Sequence, residues 1–187
     1  MKVISVNVGH PRTVKWNGRS VTTAFFKEPV EERIKVRKLG LEGDKQADLR
    51  VHGGPKQAVY AYPSEHYDYW KRELPGVEFP WGSFGENLTI SGILENEIRI
   101  SDTLHIGSAE FRVTKPRLPC FKMNVRFQRD DMMKRYQDAG RPGFYLAVSR
   151  EGEVQSGDEI KLIANGANNP TVAEVFESQL PQEQEQT

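Results

Sequence analysis

Along most of the chain, apolar and polar residues alternate in short runs separated by turn residues, and this period-two pattern predicts strands. The runs are KVISVNV at 2–8, RIKVRKL at 33–39, QAVYAY at 57–62, NLTI at 87–90, EIRI at 97–100, TLHI at 103–106, AEFRVTK at 109–115, FYLAV at 144–148 and EIKLI at 159–163. Many short strands without regular intervening helices point to a barrel or sandwich. Polar turns holding Asp102 and Asp158 lead into two of these runs, a device that suits an antiparallel sheet closing on itself.

Helical spacing interrupts the pattern in three places. SEHYDYWKREL at 64–74 sets His66, Trp70 and Leu74 on one face, with Ser64 able to cap it and Pro75 and Gly76 to stop it. VRFQRDDMMKRYQDA at 125–139 reads as one helix with Val125, Met132, Met133 and Tyr136 on a stripe, ending at Gly140. After the loop-forming ANGANNP, TVAEVFESQL predicts a peripheral helix at 171–180 and QEQEQT a polar tail. The expected organisation is a β domain over 1–165, followed by a helix and tail at 166–187.

Composition narrows the classes of function. Lysine plus arginine and aspartate plus glutamate both number 26, so no global attraction to nucleic acid or an anionic membrane is expected, and any work done by charge is local. The first residues are too polar for a secretory apolar region, and no run approaches the roughly 18 apolar residues of a membrane span. The cytoplasm is the expected compartment. One cysteine, Cys120, cannot form an internal disulfide or, alone, a structural zinc site.

Three stretches carry candidate chemistry. Cys120 lies in KPRLPCFKMN, among Arg112, Lys115, Arg117, Lys122 and Arg126 with no acidic residue between Arg112 and Arg126. Cations favour the thiolate, the form that attacks electrophiles and binds soft metals, although a lone cysteine also serves as a small buried hydrophobe. In GLEGDKQADLRVHGGPKQAVYAY at 40–62, Gly53 and Gly54 permit a tight turn or close approach to a ligand, Lys45, Arg50 and Lys56 supply charge suited to a phosphate, and His52 is a ligand, base or turn residue. In FPWGSFGENLTISG at 79–92, Gly82 and Gly85 leave the backbone open, while Glu86 and Asn87 offer polar groups to a heterocycle edge.

Taken in order, GDKQADLRVHGGPKQAVYAY, WGSFGENLTISG, KPRLPC and RPGFYLAVSREGEVQSGDEI closely resemble the MOSC domain family, named for the C-terminal part of molybdenum cofactor sulfurases, and most of all its YiiM-like bacterial branch. The likeness runs over about residues 25–165. It implies a closed, irregular β-barrel with a few peripheral helices, holding molybdenum–molybdopterin in a basic cleft. It further implies Cys120 as molybdenum ligand and catalytic residue, Asn87 near the pterin, and Lys45, Arg50, His52, Gly53, Gly54 and Arg117 around the cofactor. The activity implied is reduction of small N-hydroxylated compounds, with electrons from an external donor protein. Two departures stand out: members of this branch usually carry a helical bundle after the barrel, where this chain has only 171–187, and Ser101 occupies a turn position where glycine is expected. Two other readings remain open. One is a non-catalytic carrier of the cofactor or of a persulfide on Cys120; the other is a cysteine hydrolase pairing Cys120 with His10, His52, His66 or His105.

Overall fold

The computed structural model describes residues 1–45 and 53–180. Among these residues, thirteen strands run β1 (Lys2–Val8), β2 (Arg12–Trp16), β3 (Arg19–Thr23), β4 (Glu28–Val30), β5 (Ile34–Arg37), β6 (Gly40–Leu41), β7 (Val59–Pro63), β8 (Leu88–Ser91), β9 (Thr103–Ile106), β10 (Ala109–Pro116), β11 (Phe144–Arg150), β12 (Gly152–Val154) and β13 (Ile160–Ile163). Four α-helices, α1 (Glu65–Glu73), α2 (Lys122–Phe127), α3 (Met132–Asp138) and α4 (Val172–Gln179), fall between and after them. No helix among the described residues is long and apolar enough to cross a membrane.

The fold is mostly β, as the alternation predicts, and is organised around one eight-stranded sheet in the order β13-β9-β10-β11-β7-β8-β1-β4. A closed barrel is not what forms. The sheet curls until β1 meets the lead into β13, but the contact is a single bridge between Lys2 and Glu159, with three backbone hydrogen bonds, from the Val3 N–H to the Asp158 carbonyl at 2.9 Å, the Gly157 N–H to the Val3 carbonyl at 2.9 Å and the Ile160 N–H to the Met1 carbonyl at 3.1 Å. The reason lies in β1, whose edge is divided: Val6–Val8 pair with β4, leaving only the first residues to face β13. No continuous ladder therefore joins the two ends. Every strand pairing is antiparallel except β7 with β8, which are parallel because the chain between them travels through α1 and returns.

Several local expectations change. EIRI at 97–100 is a turn rather than a strand, since the Asp102 carboxylate accepts the Arg99 N–H (2.8 Å) and folds the backbone back. The single helix expected at 125–139 is two. Gln128 adopts a left-handed conformation (φ 52°), and Asn124 holds the break by donating to the Asp130 carbonyl and accepting from the Met133 N–H, both at 2.7 Å. Helix α1 buries His66, Trp70 and Leu74 as its spacing requires, but Ser64 makes no side-chain cap. Helix α4 is closed by a capping box between Thr171 and Glu174, and its Val172 and Phe176 are fully buried.

Buried side chains separate into two clusters. One is aliphatic with two phenylalanines, and includes Val3, Val6, Leu88, Ile90, Leu104, Phe111, Val113, Phe144 and Leu146 from the inner face of the sheet. The other is aromatic, built from Phe25, Tyr60, Tyr62, Tyr67, Trp70, Phe79, Phe84 and Tyr136 around α1 and α3. The candidate site lies on the aromatic side.

Candidate functional site

A concave pocket opens where five parts of the chain converge. The segment after β3 supplies Phe25 and Lys27; the segment after β6, Asp44 and Lys45; the turn before β7, Gly53 and Gln57; the approach to β8, Gly85 and Asn87; and the stretch from the end of β10 to the start of α2, Arg117 and Lys122. Tyr60 of β7 and Tyr145 of β11 complete the wall. Glycine is required here by crowding. A Cβ on Gly82 would lie 2.6 Å from the Lys27 carbonyl, and one on Gly85 would press on the Phe25 ring at 3.3 Å, so both residues let the 25–27 segment close over the pocket.

Arg117 is the central cation. It is only 7% exposed, lies 4.5 Å from the Tyr60 ring centroid and 4.8 Å from that of Phe25, and donates from Nη1 to the Phe84 carbonyl at 2.8 Å. No carboxylate among the described residues pairs with it. Burial works against its charge, but Tyr145, Tyr60 and Tyr136 together with Cys120 offset that cost and hold the guanidinium above its ordinary value. Arg117 is therefore a fixed positive charge with spare donors facing a pocket, the arrangement that attracts an anion.

Beside it, Lys27 Nζ meets Asp44 Oδ1 at 2.5 Å, with both side chains buried. Burial lowers the Lys27 pKa, and the attraction of Asp44 partly restores it. Asp44 is held in turn by the Gly9 N–H at 2.8 Å and by Asn87 Nδ2 at 2.9 Å. Asn87 spends its second N–H on the Asn7 carbonyl (3.3 Å), and its Oδ1 accepts the Tyr60 N–H (3.1 Å). The amide thus ties β1, β7 and the Asp44 loop together.

Of the residues expected at the site, Lys45, Gly53, Asn87 and Arg117 line one pocket. Gly54 is not part of the lining; its positive φ of 83° starts the Pro55–Gln57 turn. Cys120 is half-buried in the loop joining β10 to α2, between Arg117 and Lys122, which both line the pocket, and is not itself part of the lining. Arg50 and His52 lie outside the described residues. Glu86 does not offer its carboxylate to a ligand: it is fully buried and accepts from the Tyr67 hydroxyl, the Gly82 and Phe84 N–H groups and the Thr89 hydroxyl. Desolvation pushes its pKa up, against the pull of these donors.

Comparison with known proteins places the chain in a family. Residues 48–161 match the MOSC domain. The chain belongs to the MOSC domain family. Among curated relatives, this MOSC protein is 36% identical over 170 residues to YflK of Bacillus subtilis, an uncharacterised protein, covering 91% of the chain and 76% of YflK. It is 38% identical over 144 residues to YiiM of Escherichia coli, covering 76% of the chain and 64% of YiiM, so the match spans less than two thirds of that relative. A reductase of Gibberella moniliformis is 32% identical over 149 residues, covering 78% of the chain but 26% of the reductase. The crystal structure of YiiM from Geobacillus stearothermophilus superposes with a TM-score of 0.77 at 33% identity, over 94% of this chain and 82% of the other.

Sequence reasoning did not find Phe25, Lys27, Asp44, Tyr60 or Tyr145 in the MOSC pocket. Asp44 carried a local signal, since it stands in the GDK run beside Lys45. Lys27 carried none, because its role depends on a carboxylate that strand pairing delivers from 17 positions away.

Proposed function

We propose that this MOSC protein binds molybdenum–molybdopterin and uses it to reduce small N-hydroxylated compounds at the N–O bond, with Cys120 as the protein ligand to molybdenum. The observation that carries the reading is a half-buried cysteine three positions from a buried guanidinium that no described carboxylate neutralises. MOSC domains are associated with molybdenum cofactor binding in general, and one relative of this chain bears the name reductase.

The donor set suits that group. A thiolate is a soft ligand for a heavy transition metal, and no group of three or more His, Cys, Asp or Glu side chains among the described residues could hold a bare ion. An organic partner would supply the remaining coordination. Arg117, with Lys45 and Lys122 at the rim, would hold the phosphate of such a partner. Asn87, with both N–H donors spent, would act by fixing Asp44. When bound, the cofactor supplies two-electron oxygen-atom chemistry at the metal. Converting R–NHOH to R–NH2 and water consumes two electrons and two protons. Lys27 Nζ, hydrogen-bonded to Asp44 in the pocket wall, is positioned to pass protons. A single cysteine offers no dithiol, so the electrons come from an external donor protein.

The test is elemental analysis of protein prepared from a host that makes the cofactor, with turnover of an N-hydroxylated amine measured on the same sample. Near-stoichiometric molybdenum and turnover are expected, both lost in a folded Cys120→Ser variant. Molybdenum without turnover would turn the reading to a cofactor carrier. Wild-type protein free of molybdenum would overturn it.

A further inference from the structure

Two large apolar side chains flank Cys120 and are turned to solvent: Leu118 is 47% exposed and Phe121 51% exposed. They belong to a stretch of one charge sign. Between Glu110 and Asp130 stand Arg112, Lys115, Arg117, Lys122, Arg126 and Arg129, with no acidic residue, in a chain whose formal net charge is +0. Lys56 is exposed on the turn that this stretch holds, since the Thr114 hydroxyl of β10 donates to the Lys56 backbone carbonyl at 2.6 Å. Two exposed apolar side chains in a run of cations, beside the candidate metal ligand, have the composition of a transient docking face.

We propose that Leu118 and Phe121, together with Lys56, Lys115 and Lys122, form the docking surface for a small acidic electron-donor protein. The proposal rests on the reductase reading above, which requires two electrons per N–O bond from outside the chain. Charge complementarity selects the partner: the cations steer an acidic protein and repel a basic one, and the two apolar side chains desolvate the contact next to Cys120. Delivery there keeps the donor's redox group close to the centre it reduces.

The probe is an acidic flavodoxin, titrated into the protein by calorimetry at low and high salt. Binding that weakens at least tenfold between 50 and 200 mM salt is expected, on the order of what several screened charge pairs produce. A Leu118→Glu, Phe121→Glu double variant should lose at least tenfold in affinity, Lys56→Glu should lose less and show a shallower salt dependence, and Leu39→Glu, at another exposed leucine, should change nothing. In turnover, the double variant should fail with reduced flavodoxin and match wild type with reduced methyl viologen, which needs no docking face. Absence of viologen-driven turnover in wild type would count against the reductase reading while leaving the binding result to judge the surface. Unchanged flavodoxin affinity in the double variant, no salt-sensitive binding by wild type, or a raised substrate KM with viologen would each overturn the docking surface, the last by assigning these side chains to substrate access.

Discussion

The two buried clusters do different jobs with similar side-chain volume. The aliphatic one, around Leu104, Phe111 and Leu146, holds strands together through shape alone, since its atoms want nothing but contact. The aromatic one carries polar groups inward: the Tyr60 and Tyr136 hydroxyls share the Pro142 carbonyl, at 2.8 and 2.6 Å, and Trp70 donates to the Tyr62 hydroxyl at 2.8 Å. Its rings also shield Arg117 and Glu86 from water. Aromatic residues make this possible because one end of each is apolar and the other can bond. A region that must hold a charge ready for a ligand gives up some packing freedom, and every polar group in it has to be answered.

That contrast can be tested by breaking each cluster in its own way. The largest effect is expected from Phe111→Ala in the aliphatic cluster, about 3–5 kcal/mol in urea denaturation, because the change leaves a cavity with nothing to fill it. Cofactor retention per folded molecule should be unchanged. Tyr136→Phe in the aromatic cluster removes no volume to speak of but takes from the Pro142 carbonyl one of its two donors and from the Tyr60 hydroxyl its neighbour, and should cost about 1 kcal/mol. A loss equal to that of Phe111→Ala would mean the two clusters are not distinct. Of similar size but opposite sign is Ser101→Gly. Ser101 holds a φ of 76°, a left-handed conformation that costs a residue with a side chain about 1 kcal/mol, so the variant should gain roughly that amount.

The finest test reads a slope. Burial raises the Glu86 pKa in the folded protein above the 4.5 of an ordinary glutamate, so between 4.5 and the folded value the native state holds more proton than the unfolded chain. Glu86 therefore contributes stability that is fully present below pH 4.5 and is lost as pH rises through the folded pKa. Glu86→Gln should remove that falling component from the urea midpoint plotted against pH. A variant whose profile runs parallel to wild type above pH 4.5 would show that the carboxylate is not the buried acid described here.

Local patterns revealed local structure. Strands β1 and β9 occupy the runs their alternation marks, 2–8 and 103–106, and α1 buries the face its spacing selects. The β2–β3 hairpin was also legible but went unread: its Asn17–Gly18 turn, both residues at positive φ, is among the strongest short hairpin signals a sequence carries. The division between α2 and α3 was not legible, because apolar spacing continues across Gln128 and the break is held by the two side-chain bonds of Asn124. The site divides similarly. Lys45, Asn87 and Arg117 stand in short motifs and could be named, whereas Lys27 and Tyr145 become neighbours of Arg117 only through long-range pairing. Barrel closure was out of reach for the same reason, since it turns on how one edge of β1 is shared.

The division of β1 between partners also has a consequence in time. This strand leaves the ribosome well before its long partner β8 at Leu88–Ser91, and the Glu159 bridge comes later still. Until β8 emerges, KVISVNV has at most the three residues of β4 to pair with, and an unpaired apolar strand is open to pairing with another chain. The polar side chains of Ser5 and Asn7, which in the finished protein bond each other and Thr89, make that waiting strand less apolar than a run of valines would be. The nascent chain thus carries its own protection against aggregation in the residues that later stitch β1 to β8.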